Sequence, residues 1–177
     1  IAETNTQKHY FTENQKIYSD KLSKFVIKCN EQSNGSVVDR LSRIYKDIFI
    51  DEVQDLAGYD LDFLKLIFKC KATVLLVGDP RQGTYSTNNS SKNKKFKKAK
   101  IVNFFEDDSI AIEKDSSSLT TNYRCCSKIC DLSNKLYPNH KKTTSGNTSD
   151  TEHDGVFLIK SQDVEDYLSE YKYPAPC

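Results

Sequence analysis

Methionine is absent from all 177 residues, and the chain opens on Ile1. A natural translation product begins with Met, and a bulky second residue such as Ile does not normally permit its removal, so the sequence reads as a piece of something longer. Charge of one sign is not in excess either: 26 Lys plus Arg against 25 Asp plus Glu leave a formal +1. That balance argues against a nucleic-acid binder working through bulk charge and puts any such affinity in a local patch. No apolar run approaches the roughly 20 residues that span a bilayer. No basic start followed by an apolar stretch marks a secretory signal. The expectation is a cytoplasmic chain with no membrane role. The six cysteines lack the paired short spacings of a zinc site. Cys125-Cys126-x₃-Cys130 does set two sulfurs about one helical turn apart, but free thiols in a reducing compartment are the simpler reading. No internal repeat is present.

What is there changes character along the chain. Tyr18, Leu22, Phe25, Val26 and Cys29 keep helical spacing, so a helix is expected over 13–30, with Thr12 and Gln15 as a capping box and Asn34-Gly35 as the stop. A second helix is expected to follow, capped by Ser36, with Val37, Val38, Leu41, Ile44 and Tyr45 inward. Ile48-Phe49-Ile50 and Thr73-Val74-Leu75-Leu76-Val77 are continuous apolar runs, the pattern of parallel strands covered on both faces. Leu61, Phe63, Leu64, Ile67 and Phe68 between them are helical, which makes a βαβ unit. Further strands are expected at Ser109–Glu113, Ser116–Thr120 and Val156–Ile159, and helices at Tyr123–Leu136 and Asp163–Tyr171, the latter capped by Ser161. Residues 141–155 have almost no apolar content and read as a linker.

In a parallel sheet, ligands bind beyond the carboxyl ends of the strands. Polar residues crowd those ends three times: Asp51-Glu52-Val53-Gln54-Asp55, Gly78-Asp79-Pro80-Arg81-Gln82, and Thr121-Asn122-Tyr123-Arg124. Their types suit phosphoryl transfer. An Asp after an apolar strand can hold Mg²⁺, a neighbouring Glu can deprotonate water, a Gln can bond a γ-phosphate, and an Arg can stabilise the transferring group.

Those three segments resemble, in order, the DExQD form of Walker B, the GDxxQ-x-x-Y motif and the NYR motif of UvrD/Rep-type superfamily-one helicases. The resemblance implies an α/β fold of the P-loop NTPase (RecA-like) class, a parallel sheet with flanking helices. It implies ATP and Mg²⁺ as cofactors and single-stranded DNA as partner, with movement from 3′ to 5′. Carried over by position, Asp51 and Glu52 serve the metal, and Glu52 is the general base. Gln82 senses the γ-phosphate, Arg124 is the arginine finger, and Asp79 supports the metal and water network. Tyr85 contacts DNA, and Gln54 communicates between the nucleotide and DNA sites. The division implied is a helical segment at 1–45, the later part of a first RecA-like domain at 46–140, a linker at 141–155, and the start of a second such domain at 156–177. Small UvrD-like proteins beside OLD-type nucleases in Gabija-like phage defence are a looser analogy, which would imply a nuclease partner.

Departures from the family pattern bear on activity. No G-x-x-x-x-G-K-[ST] cradle for phosphate occurs in the 177 residues; the family places it upstream of Walker B. The fold is therefore expected to be incomplete, lacking the Walker A segment, and inert as an ATPase without the remainder of the helicase. Thr87, Asn88 and Asn89 stand where relatives often carry an aromatic-Arg-Gly sequence, which puts a base-stacking aromatic in doubt. Lys92, Lys94, Lys95, Lys97, Lys98 and Lys100 surround Phe96. Lys94, Lys95, Lys97 and Lys98 are candidates for contacting a DNA backbone, against the plainer reading of a solvated face. Tyr85 could pack on its own domain as readily as stack on a base. Two other functions remain open at this stage: a catalytically silent module that binds DNA or a nuclease, and a metal nuclease using Asp51, Glu52, Asp55 and Asp79.

Overall fold

A computed structural model describes residues 3–88, 90–107, 110–149 and 153–171. The chain divides into two compact units, 1–112 and 113–177.

In the first unit, strand β1 (Asp47–Ile50) pairs in parallel with β2 (Thr73–Leu76), with Phe49 opposite Leu75 and Ile50 opposite Leu76. Helix α4 (Tyr59–Ile67) makes the crossover, so the βαβ unit read from the apolar runs is present. Leu61 and Leu64 of α4 bury themselves against Ile101 and Phe104, and Ile50, Leu56, Leu76 and Phe96 close around that cluster. Full burial of such a side chain is worth roughly 1.5–3 kcal/mol, and this cluster is the core that fixes the strand ends. Coverage of both sheet faces was expected, but the described residues cover one. Phe49 is 74% exposed and Leu75 52%.

The helix expected over 13–30 begins only at Leu22. Residues 11–17 instead form a tight turn: Phe11 bridges Ile17 antiparallel, Thr12 N–H donates to the Lys16 carbonyl, and Gln15 takes a left-handed φ of 59°. Thr12 Oγ1 accepts from Lys16 N–H, so the threonine closes this turn rather than capping a helix. A short helix α1 (Thr6–Tyr10) precedes the turn, and a 3-10 turn at Ser19–Lys21 leads into α2 (Leu22–Gln32). Buried Tyr10 lies against Phe25 of α2, with ring centroids 5.1 Å apart. Helix α3 (Ser36–Ile44) has Gly35 as its N-cap, one residue before the expected Ser36, and Ile44 and Tyr45 are exposed rather than inward.

In the second unit, β3 (Thr121–Asn122) pairs in parallel with β4 (Thr144–Ser145), and α5 (Ser127–Leu136) lies between them in sequence. The described residues of 110–120 form no strand; the pairing begins one residue after the expected Ser116–Thr120 segment. Within 141–149, Asn134 both donates to the Thr143 carbonyl and accepts from Thr143 N–H. Val156–Ile159, expected as a strand, has no strand partner among the described residues, and its four apolar side chains are exposed. A 3-10 turn at Ser161–Asp163 opens α6 (Val164–Glu170), close to the helix expected there. Among the described residues no helix is long and apolar enough to cross a membrane.

Candidate nucleotide site at the strand ends

The parallel ladder continues past β1 and β2. Val77 N–H donates to the Ile50 carbonyl, and Val53 N–H donates back to the Val77 carbonyl. This brings the turn carrying Asp51 to Asp55 alongside the one carrying Gly78 to Gln82. Two of the three polar strand ends are thereby neighbours.

Asp51 and Glu52 are exposed. Asp51 Oδ1 accepts from Glu52 N–H at 2.8 Å. Glu52 has φ 52°, a left-handed conformation that costs a non-glycine residue on the order of 1 kcal/mol. Such strain gathers at functional turns. Beneath it lies Gln54, only 2% exposed. Its amide Nε2 donates to Glu52 Oε2, and its Oε1 accepts from Asp79 N–H at 3.0 Å. Gly78 makes this possible: a Cβ there would stand 2.6 Å from Gln54 Oε1 and 2.7 Å from Val53 Cγ2.

Asp79 is not an open carboxylate. Arg81 Nε reaches its Oδ1 at 2.9 Å and Nη2 its Oδ2 at 2.8 Å, while Arg81 N–H also donates to Oδ1. Gln82 Nε2 adds a longer bond of 3.3 Å. Burial works to raise the Asp79 pKa, but the bonds from Arg81 and Gln82 outweigh it and hold the carboxyl below its ordinary value. Gln82 itself is exposed beside it.

Tyr85 is exposed, whereas Thr87 and Asn88, at the positions where a stacking aromatic was in doubt, bond within the unit. Thr87 N–H donates to the Asp55 carbonyl at 2.9 Å. Buried Asn88 donates to the Asp20 carbonyl at 2.7 Å and accepts from Ser90 N–H. These are pins within the unit and not a stacking surface. Asn89 lies outside the described residues.

The lysine run is a pair of 3-10 turns, Lys94–Phe96 and Lys98–Phe104, anchored from within. Phe96 packs edge-on against Phe104 at 5.4 Å. Lys94, Lys95 and Lys98 are exposed, with Lys95 Nζ over the Phe96 ring at 4.7 Å. Lys97 is half-buried and donates to the Asn88 carbonyl at 2.9 Å. It belongs to the scaffold more than to the cationic face. Lys92 likewise pairs with Asp62 at 2.9 Å.

Arg124 stands on the second unit, exposed. Asn122 Oδ1 accepts from both Arg124 N–H at 2.9 Å and Cys125 N–H at 2.8 Å, and Asn147 Nδ2 donates to the Arg124 carbonyl. The asparagine of the Asn-Tyr-Arg segment thus shapes the turn from which the arginine projects. Sequence reasoning missed two features of the site. Arg81 is the partner of Asp79, and Gln54 ties Glu52 to the neighbouring turn. An arginine two residues after an Asp that caps a turn is a readable signal for the first; nothing in spacing announces the second.

Residues 3–111 match the UvrD/REP helicase N-terminal domain. The chain is also 33% identical over 133 residues to R568 of Acanthamoeba polyphaga mimivirus, a protein named as a putative ATP-dependent DNA helicase. That alignment covers 74% of this chain and 17% of the mimivirus protein, so the chain spans a small part of the relative it matches. The class that the fold and these matches define is the P-loop NTPase-like α/β proteins. Within that class, the chain belongs to the UvrD/REP helicase family.

Proposed function

We propose that these residues form the Walker B half of the nucleotide site in a longer ATP-dependent DNA helicase that moves 3′ to 5′ on single-stranded DNA. The observation that carries this reading is the juxtaposition of the Asp51–Asp55 and Gly78–Gln82 turns at adjacent ends of parallel strands, joined through Gln54. A βαβ unit gives its ligand the space beyond such ends.

In this reading Glu52 accepts a proton from the attacking water, and the exposure of the residue supports that role. Gln82 answers to the γ-phosphate; its weak bond to Asp79 is easily exchanged for a phosphate oxygen. For Arg124, on the second unit, the arginine-finger role is carried over from the Asn-Tyr-Arg motif alone. The exposed carboxylates of Asp51 and Glu52 offer hard oxygens, a donor type suited to Mg²⁺. When bound, Mg²⁺ supplies charge neutralisation for the phosphates. Asp79 supports the network indirectly, since Arg81 already occupies its oxygens. Tyr85 and the exposed Lys94, Lys95 and Lys98 face the DNA.

The test is Glu52→Gln in the longer helicase. DNA-stimulated ATP turnover should fall by about 10²–10⁴-fold, the usual contribution of a positioned base, while ATP binding is retained. Turnover within a few-fold of the parent would sink the assignment.

A further inference from the structure

Gln54 is the most buried polar side chain of the strand-end region, and its two neighbours make opposite demands. A backbone N–H, that of Asp79, can only donate; an ionised carboxylate, that of Glu52, can only accept. A primary amide offers an acceptor to the first and a donor to the second, and it does so here with Oε1 3.0 Å from Asp79 N and Nε2 bonded to Glu52 Oε2. The two partners also determine which end of the amide is which. A glutamate in its place would offer only acceptors and would repel Glu52. A methionine would satisfy neither.

Two further features converge on this amide. Glu52 holds a left-handed φ of 52°, so its side chain leaves the backbone in a direction the strand alone would not choose. Gly78, where any Cβ would strike Gln54 Oε1 at 2.6 Å, lets the second strand end pass directly over the amide.

We infer that Gln54 is a positioning residue for the hydrolytic step: it aims the Glu52 carboxylate and ties that aim to the Gly78–Gln82 turn. This rests on the reading of Glu52 as the general base. Because Gln54 has one amide and two partners, displacement of the 78–82 turn pulls on the Asp79 N–H bond and alters the support of Glu52. Gln82, four residues after Gly78, lies in the same turn. The geometry therefore makes the aim of the base depend on the turn that holds the expected phosphate sensor. No contact with substrate is required of Gln54.

Two measurements test this. In the longer helicase, Gln54→Glu keeps an acceptor for Asp79 N–H but removes the donor to Glu52. Its kcat for DNA-stimulated ATP hydrolysis should fall by about tenfold or more, the scale expected when a catalytic group is misplaced, with the KM for ATP within about twofold. A parental kcat, or a raised KM with kcat unchanged, overturns the inference. The second measurement needs no Gln54 variant to fold. In the 177-residue chain, the Gln54 side-chain amide resonances are followed by nitrogen-15 NMR with and without Glu52→Ala. Loss of the carboxylate should move the Gln54 Nε2 proton upfield, and a resonance indifferent to that change overturns the contact. Failure here is separable from failure of the function: an active Glu52→Gln helicase defeats the base assignment and this inference together. An inactive Glu52→Gln beside a fully active Gln54→Glu defeats only this inference.

Discussion

Gly83 lies so close to Lys98 that a Cβ on the glycine would stand 2.9 Å from the lysine Cα and 2.9 Å from the following Ala99 nitrogen. The turn carrying Gln82 and the lysine-bearing turn are thus in backbone contact. Neither side is a flexible side chain that could swing away. Gly83→Ala should therefore force the two turns apart and destabilise the first unit by about 1–3 kcal/mol, the usual cost of overpacking. Urea denaturation followed by far-UV circular dichroism checks it. An unchanged midpoint would mean that the turns separate freely.

Arg81 and Asp79 give a pH-dependent expectation. Because the Asp79 carboxyl is held below its ordinary value, its contribution to stability is present above that value and is lost as pH falls through the depressed one. Replacing Arg81 by Leu removes the guanidinium bonds and leaves only the residue-81 backbone N–H and Gln82 to oppose burial, which raises it. The variant should be less stable than the parent by about 1 kcal/mol at neutral pH, allowing for partial exposure of the pair. The gap should narrow as pH drops below the ordinary carboxylate range. Denaturation midpoints taken from pH 7 downward would show this, and a gap constant with pH would assign Arg81 a packing role instead.

The site was more legible in the sequence than its wiring. The runs 48–50 and 73–77 each break abruptly into acidic and polar residues, and that switch alone places Asp51, Glu52, Asp79 and Gln82 at strand ends. Sequence order then makes the two ends neighbours, because a short helical crossover joins parallel strands. The bonds of Gln54 could not be read this way, since they depend on where a side chain folds back and not on period. Strand propensity misled for a related reason. Val156–Ile159 is as apolar as the true strands, yet Leu158 is fully exposed, because a strand needs a partner and composition does not name one. Thr144–Ser145, with no apolar residue, does pair, held by Thr144 N–H to the Thr120 carbonyl at 2.8 Å. The Thr12–Gln15 capping pattern failed because four residues that suit a helix start also suit a tight turn. The left-handed Gln15 shows which won.

In the second unit, the Asn122 side chain accepts from two successive backbone N–H groups, those of Arg124 and Cys125. Asn122→Ala leaves both donors without that acceptor and should cost about 1 kcal/mol, as removal of a capping side chain does. Hydrogen exchange should report faster exchange at Arg124 and Cys125, with the amides of α4 unaffected. Equal acceleration in both places would indicate global destabilisation and not the opening of a local turn.

The lysines separate by what each ammonium touches. Lys94 and Lys98 are exposed on turns whose apolar side chains, Phe96, Ile101 and Phe104, face the core, so the cations are held outward by packing rather than scattered along a loop. Lys97 instead commits its ammonium to the Asn88 carbonyl. If the outward pair meets a DNA backbone, Lys94→Ala with Lys98→Ala should weaken single-stranded DNA binding across all sequences. It should also reduce the slope of log affinity against log salt by about 0.7 for each phosphate no longer neutralised. Lys97→Ala should leave that slope nearly intact and cost about 1 kcal/mol of stability, because the Asn88 carbonyl no longer receives its charged donor. Filter binding at several salt concentrations, beside a thermal melt of each variant, distinguishes the two. A slope that falls for Lys97 and not for the outward pair would place the DNA elsewhere on the unit, because the charge that matters would then be the one the fold has already engaged.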